Sequence, residues 1–195
     1  MNIEEIKALQ RGVGVTADGL MGRGTLAATF RAMGAKPAIA DALAFAGNVW
    51  LAKIGVLDSK LRFCHHIAQL AHESDNFNAM EEYASGQAYE GRADLGNTEP
   101  GDGKRFKGRG PIQCTGRNNY RKYGRLLGIN IEAKPTLVSD PEIGYAVACL
   151  YWDANNLNRF ADADDIDTLT RRINGGTNGL ADRKAKLNKV RGLFR

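Results

Sequence analysis

The sequence predicts a mainly α-helical protein. Apolar residues recur at helical spacing in several separate stretches, no alternating stretch long enough for a strand competes with them, and helix-starting or turn residues such as Asp18-Gly19, Asp58-Ser59 and Pro141 fall between the stretches. With 43% hydrophobic and 25% charged residues in a chain of 195, the composition is that of a folded domain rather than a disordered one.

Residues 3–34 read as helix, tight turn, helix. Ile6, Leu9 and Gln10 precede the run GVGVTADGLMGRGT, in which Asp18-Gly19 and Gly22 supply the turn and Thr25 stands where it would cap a helix carrying Leu26, Ala27 and Phe30. This arrangement resembles the turn of the small helical peptidoglycan-binding module found on many cell-wall hydrolases, and spans about half of one.

Pro37 marks the next boundary, and Ala38–Lys53 has helical apolar spacing. Asp58-Ser59 supplies an N-cap for the helix that starts at Lys60, where Phe63, Ile67, Leu70 and Ala71 form a core-facing stripe. Ser74-Asp75-Asn76 interrupts it. From Tyr83 to Gly116 the chain is Gly-rich and polar with neither period, and structureless loops of that length in a compact domain are usually functional. Helical patterns resume at Tyr120–Leu127, Pro141–Ala154, Asp165–Ile173 and Leu180–Leu193.

Several function classes are disfavoured. The most apolar stretch, Ala42–Leu57, is broken by Asn48 and Lys53 and falls short of the roughly 20 residues that cross a bilayer. The opening MNIEEIK has no basic region followed by an apolar one, so no secretory signal is expected. Cys64, Cys114 and Cys149 lack zinc-ligand spacing and read as buried free thiols. His65, His66 and His72 crowd one helix, but His65 and His72 are about two turns apart and no HExxH occurs; neither a metal nor another cofactor is expected. The net charge is +5. Gly91–Arg125 carries nine Lys or Arg against three Asp or Glu, and Arg183–Arg195 six basic residues and no acid, which points to a polyanionic partner. A nucleic acid is disfavoured, since no recognition motif and no platform of aromatic residues accompanies the charge.

The runs FCHHIAQLAHESDNF, EEYASGQAYEGRADLGNTEPGDGKRFKGRGPIQCTGRNNY and RRINGGTNGLADR, in that order, closely resemble the catalytic domain of glycoside hydrolase family 19, and within it the lysozyme-like endolysins of bacteriophages and prophages. The resemblance covers residues 36–195 and implies a lysozyme-like helical catalytic domain with a long Gly-rich active-site loop region, preceded by the small helical element of residues 1–34. Cleaving a glycosidic bond needs one protonated carboxyl for the leaving oxygen and a second carboxylate to activate water or attack directly. Glu73 and Glu82 fit that pair. On one continuous helix they would lie on opposite faces, roughly 13 Å apart along the axis, so the helix has to break between them, and Ser74-Asp75-Asn76 offers the break. Glu73 falls at the margin of the apolar stripe, the half-buried setting that suits a general acid.

By similarity Glu73 is the general acid and Glu82 the general base, with Glu81 and Glu90 close enough to stay as alternatives. The resemblance assigns Thr115 to the attacking water and Gln113, Asn119, Tyr120 and Asn174 to the substrate. It makes Arg183 a buried support of the catalytic carboxylate and places His72 beside the acid, at the substrate. It further implies a monomeric endolysin that hydrolyses β-1,4 bonds of bacterial peptidoglycan with inversion, after accumulating in the host cytoplasm and passing through a holin-type membrane lesion. The alternatives are a chitinase acting on N-acetylglucosamine polymers and a non-catalytic wall-binding protein. Arg183–Arg195, with Leu187, Val190, Leu193 and Phe194 as an apolar stripe, reads either as a helix packed on the domain or as one that contacts anionic envelope lipids.

Overall fold

The computed structural model describes residues Met1–Arg195 as ten α-helices joined by turns and short 3₁₀ segments, with isolated antiparallel bridges only, at Glu81–Arg109 and Arg109–Cys114. The helices are α1 (Ile3–Val13), α2 (Arg23–Ala32), α3 (Pro37–Lys53), α4 (Lys60–Glu73), α5 (Asp102–Arg105), α6 (Arg117–Leu127), α7 (Pro141–Ala154), α8 (Asn158–Asp162), α9 (Ile166–Asn174) and α10 (Leu180–Arg191). The expected mainly α architecture is what the chain adopts.

Local chemistry sets most of the ends. Ser59 caps α4 through Leu61 N–H, Asp140 caps α7 with Pro141 in its first turn, and Asp165 caps α9 through Thr168 N–H. At the start of α2, Gly22 and not Thr25 is the cap. Thr25 lies inside the helix, buried, where its hydroxyl accepts from the Gln10 side chain. The same Gln10 side chain donates to Asp18 and accepts from Gly19 N–H, so one buried amide organises the whole turn.

α4 is the central rod. The stripe Phe63, Ile67, Leu70, Ala71 is buried, and so are Cys64, His65, His66, Ala68 and Gln69, which means the helix is surrounded rather than laid on a surface. α10 and α8 pack on it, and α3 sits between α2 and α7. Residues 1–34 have no core of their own. Leu9, Leu26 and Phe30 belong to the same cluster as α4 and α7, and the Phe30 ring meets Phe77 at 5.0 Å and Tyr145 at 5.3 Å edge-on.

Leu187, Val190 and Leu193 are buried, on the side of α10 that packs against α4. The stripe is thus packed on the domain, the first of the two readings of this segment. No helix is long and apolar enough to cross a membrane. The cysteines are all free and buried, and burial pushes the thiols of Cys64 and Cys114 up to about 12.

Candidate active site

The helix break expected after Glu73 is built from left-handed backbone. α4 ends at Glu73, and Asp75, Asn76 and Phe77 follow with φ of 45°, 56° and 69°. Three successive non-glycine residues in that region are held by burial of Phe77 and by Ser74, whose hydroxyl donates to Leu70 C=O and accepts from Phe77 N–H. The turn swings the chain back so that Glu73 and Glu82 line one open cleft of about 470 Å³, together with His72, Asn76 and Gln113.

Glu73 is partly buried, its side chain 17% exposed. The Arg183 guanidinium, buried on α10, donates to Glu73 and to the side-chain Oε1 of Gln69 one helical turn earlier. Arg183 thus fixes the carboxyl in direction and acts through it, buried away from the cleft where a substrate would lie. His72, expected beside the acid, turns elsewhere: its Nδ1 is 2.6 Å from Asp182 Oδ2 and its ring lies over Gly179. Two consecutive residues of α10 therefore hold two consecutive residues at the end of α4. Partial burial works to raise the Asp182 carboxyl, but His72 and Lys186 outweigh it and hold it below its ordinary range.

Glu82 accepts at both oxygens, from the Tyr89 hydroxyl at 3.1 Å and from Gly108 N–H at 3.1 Å, while Lys107 Nζ donates to its backbone carbonyl at 3.0 Å. Burial first, then the bond to Glu82, push the Tyr89 phenol up, so it remains a donor. The other two glutamates are occupied. Glu81 also lines the cleft, but burial that would raise its carboxyl is outweighed by Lys107 at 3.0 Å and Arg109 at 3.2 Å, which hold it below the usual carboxylate range. Glu90 accepts Gly103 N–H at 2.8 Å as well as Gly101 N–H, an anchor for the loop.

The segment GRGPIQCTG closes the site. Arg109 and Cys114 exchange backbone hydrogen bonds, which makes a tight loop with Gln113 at φ 52°. A Cβ placed on Gly108 would lie 2.7 Å from Gln113 Oε1, 3.1 Å from Glu82 Oε2 and 3.3 Å from Thr115 Oγ1. Those three groups therefore surround one small gap that only glycine leaves open. Thr115 donates its hydroxyl to Gln113 C=O at 2.9 Å, and Asn119 donates to Thr115 C=O at 2.8 Å, so Asn119 supports the loop from behind.

Tyr120 corrects the sequence reading. It is fully buried, donating to Lys107 C=O and accepting from Arg109, and it does not line the cleft. Asn174 is exposed at the end of α9 and does not line the cleft. Sequence reasoning missed Gln69, Tyr89, Gly108 and Asp182. Of these Gln69 had a legible signal, since it stands four residues before Glu73 on the same helix face.

No cluster of His, Cys, Asp and Glu with metal-binding geometry is present. What the arrangement offers is carboxylate chemistry: two partly buried glutamates lining one cleft, one oriented by an arginine, the other by a phenol and a backbone amide.

Comparison with known proteins agrees with the motifs. The glycoside hydrolase family 19 profile, chitinase class I, matches residues 39–176. A glycosyl hydrolase family 19 domain-containing protein of Haemophilus influenzae is 34% identical over 114 residues, covering 58% of this chain and 54% of that protein. An endochitinase of Arabidopsis thaliana is 36% identical over 111 residues, covering 56% of this chain and 38% of its own length. The chain thus spans about half or less of these relatives. The crystal structure of chitinase C from Streptomyces griseus superposes with a TM-score of 0.69 at 22% identity, over 85% of this chain and 90% of that one. Ten helices arranged as in that structure, the cleft flanked by Glu73 and Glu82, and a family match over most of the chain lead to one conclusion: the protein belongs to glycoside hydrolase family 19.

Proposed function

We propose that the protein is an endolysin of phage type, which hydrolyses the β-1,4 bonds between the amino sugars of bacterial peptidoglycan with inversion. The observation that carries the hydrolytic part is the gap at Gly108, bounded by Glu82, Gln113 and Thr115, two of which line the same cleft as Glu73: Glu82 and Gln113. In this reading Glu73, directed by Arg183, gives its proton to the leaving oxygen. Glu82 takes a proton from a water held in the gap by Thr115 and Gln113, and that water attacks the anomeric carbon from the opposite face. Tyr89 and Gly108 N–H keep the Glu82 carboxylate aimed at the water. Asn174 reaches substrate only where a long glycan extends past the cleft.

Peptidoglycan as substrate draws support from the basic surface, +5 overall, which attracts a wall rich in carboxylates and phosphates, and from the Gln10-centred turn of residues 1–34 with its resemblance to wall-binding modules. Release through a membrane lesion made by another protein completes the reading. A second reading is hydrolysis of chitin oligomers, favoured by relatives described as endochitinases.

The test is digestion of purified sacculi and of chitin oligosaccharides by the wild type and by Glu73→Gln, with mass spectrometry of products and NMR of the new anomeric centre. Disaccharide-peptide products of inverted configuration, lost by several orders of magnitude in the variant, support the proposal. Turnover of chitin oligomers alone moves the substrate to the second reading, and undiminished activity of the variant removes Glu73 from its role.

A further inference from the structure

One side of α3 is uncovered. Phe45 and Val49, one helical turn apart, are 48% and 56% exposed. With Trp50, Leu127, Ile129 and Ile143 they line an apolar groove of about 230 Å³ that shares no residue with the catalytic cleft. Ile129 is itself 37% exposed, and Leu126 at the end of α6 is 54% exposed. Isolated apolar residues on a surface are ordinary, but a contiguous patch marks an interaction site.

The border of this patch is cationic. The Arg23 guanidinium lies 5.3 Å from the centre of the Phe45 ring, and the Lys53 ammonium 4.4 Å from that of Trp50. At the far end Ile129 also lines an adjoining pocket with Arg121 and Arg125. The carboxylate in that pocket, Glu132, is neutralised by Arg117 and Arg121, while Arg125 stands exposed. Glu142 is the one acid lining the apolar groove.

We infer that this face docks on an anionic lipid surface, with Phe45, Val49, Trp50 and Ile129 entering the boundary between headgroups and acyl chains, and Arg23, Lys53 and Arg125 meeting the phosphates. Aromatic and branched side chains ringed by cations suit that boundary, where long basic side chains keep their stems in the apolar layer and their charge at the headgroups. A second copy is the poorer occupant, because an isologous contact sets the same cations against each other on two chains that each carry +5. The inference does not depend on which glycan the cleft cuts.

Co-sedimentation of the full chain with vesicles of phosphatidylglycerol and phosphatidylethanolamine in equal parts, against vesicles of phosphatidylcholine, tests it. The wild type is expected to bind the anionic vesicles, less so as salt rises, with a blue shift of emission that reports Trp50, since Trp152 is already buried. The double variant Phe45→Gln/Val49→Gln, at exposed helix positions, is expected to lose binding about tenfold or more. Arg23→Gln and Arg125→Gln are each expected to lose about fivefold. Hydrolysis of soluble oligosaccharide should be unchanged in all three, which shows that they fold. No binding to anionic vesicles, or equal binding by the wild type and the Phe45/Val49 variant, overturns the inference. So does a dimer in light scattering that this variant abolishes, which would give the face to a second copy.

Discussion

The Tyr89 hydroxyl donates to Oε1 of Glu82 at 3.1 Å, from within the loop that sequence patterning leaves without structure. A carboxylate held by a phenol on one oxygen and a backbone amide on the other keeps its direction without losing its charge. Tyr89→Phe preserves the ring and removes that bond. Its kcat is expected to fall about tenfold with KM nearly unchanged, in line with roughly 1.5 kcal/mol for a hydrogen bond to a charged group. Steady-state kinetics on a soluble oligosaccharide checks this, and equal losses in binding would argue for a substrate contact instead.

Arg183 is buried between Gln69 and Glu73, and a shorter side chain cannot reach both. Arg183→Ala removes both of these charge-assisted hydrogen bonds, at about 1.5–3 kcal/mol each. A Tm drop on the order of 10 °C by calorimetry is expected, with activity lost. Arg183→Lys should recover less than half of that drop, because one ammonium cannot replace a two-armed guanidinium.

Gly108 has an ordinary negative φ, so Gly108→Ala meets no backbone strain. The added methyl instead enters the gap between Glu82, Gln113 and Thr115. Activity is expected to fall about a hundredfold or more, as when a catalytic group loses its proton-transfer partner, while Tm moves by no more than about 2 °C. A fall in Tm as large as the Arg183→Ala value would mean that the loop, and not the water site, was lost.

His66 is buried between Tyr145 and Trp152 with neither ring nitrogen bonded, and burial lowers it from 6.5 to about 3. It is neutral in the folded protein and takes up a proton on unfolding below its ordinary value. Stability is therefore fully present above about pH 6.5 and declines as the pH falls towards 3, by about 1.4 kcal/mol per pH unit for one proton. His65 shifts the same way through burial, with Asp164 opposing. Urea unfolding at pH 7, 6 and 5 is expected to show this slope, and His66→Leu to flatten it. An unchanged slope in that variant assigns acid sensitivity to other groups.

The helices were legible wherever the chain supplied both a period and a boundary residue. Pro141–Ala154 falls where the pattern places it, and the break after Glu73 follows from nothing more than the need to bring two carboxylates together. α8 was not legible, because five residues carry too little period to register. Thr25 looks like a cap by residue type, yet Gln10 recruits it from α1, a partner fifteen residues away that no local rule detects. In the site, Glu73, Glu82 and Arg183 stand in motifs, whereas Tyr89 and Gly108 take their places through the fold of an irregular loop. Tyr120 misled for the opposite reason: an aromatic residue in a motif can serve the motif from inside the core.

The pairing of Asp182 and Arg183 with His72 and Glu73 joins residues 110 apart in the chain. At about 5–20 residues per second, a ribosome delivers α10 roughly 5–20 s after α4. Until then Glu73 has no guanidinium to aim it, and α4 lacks the helix that brings Leu187 and Val190 into the core. The contact that orients the Glu73 carboxyl is thus a late event of synthesis, made only once α10 has left the ribosome.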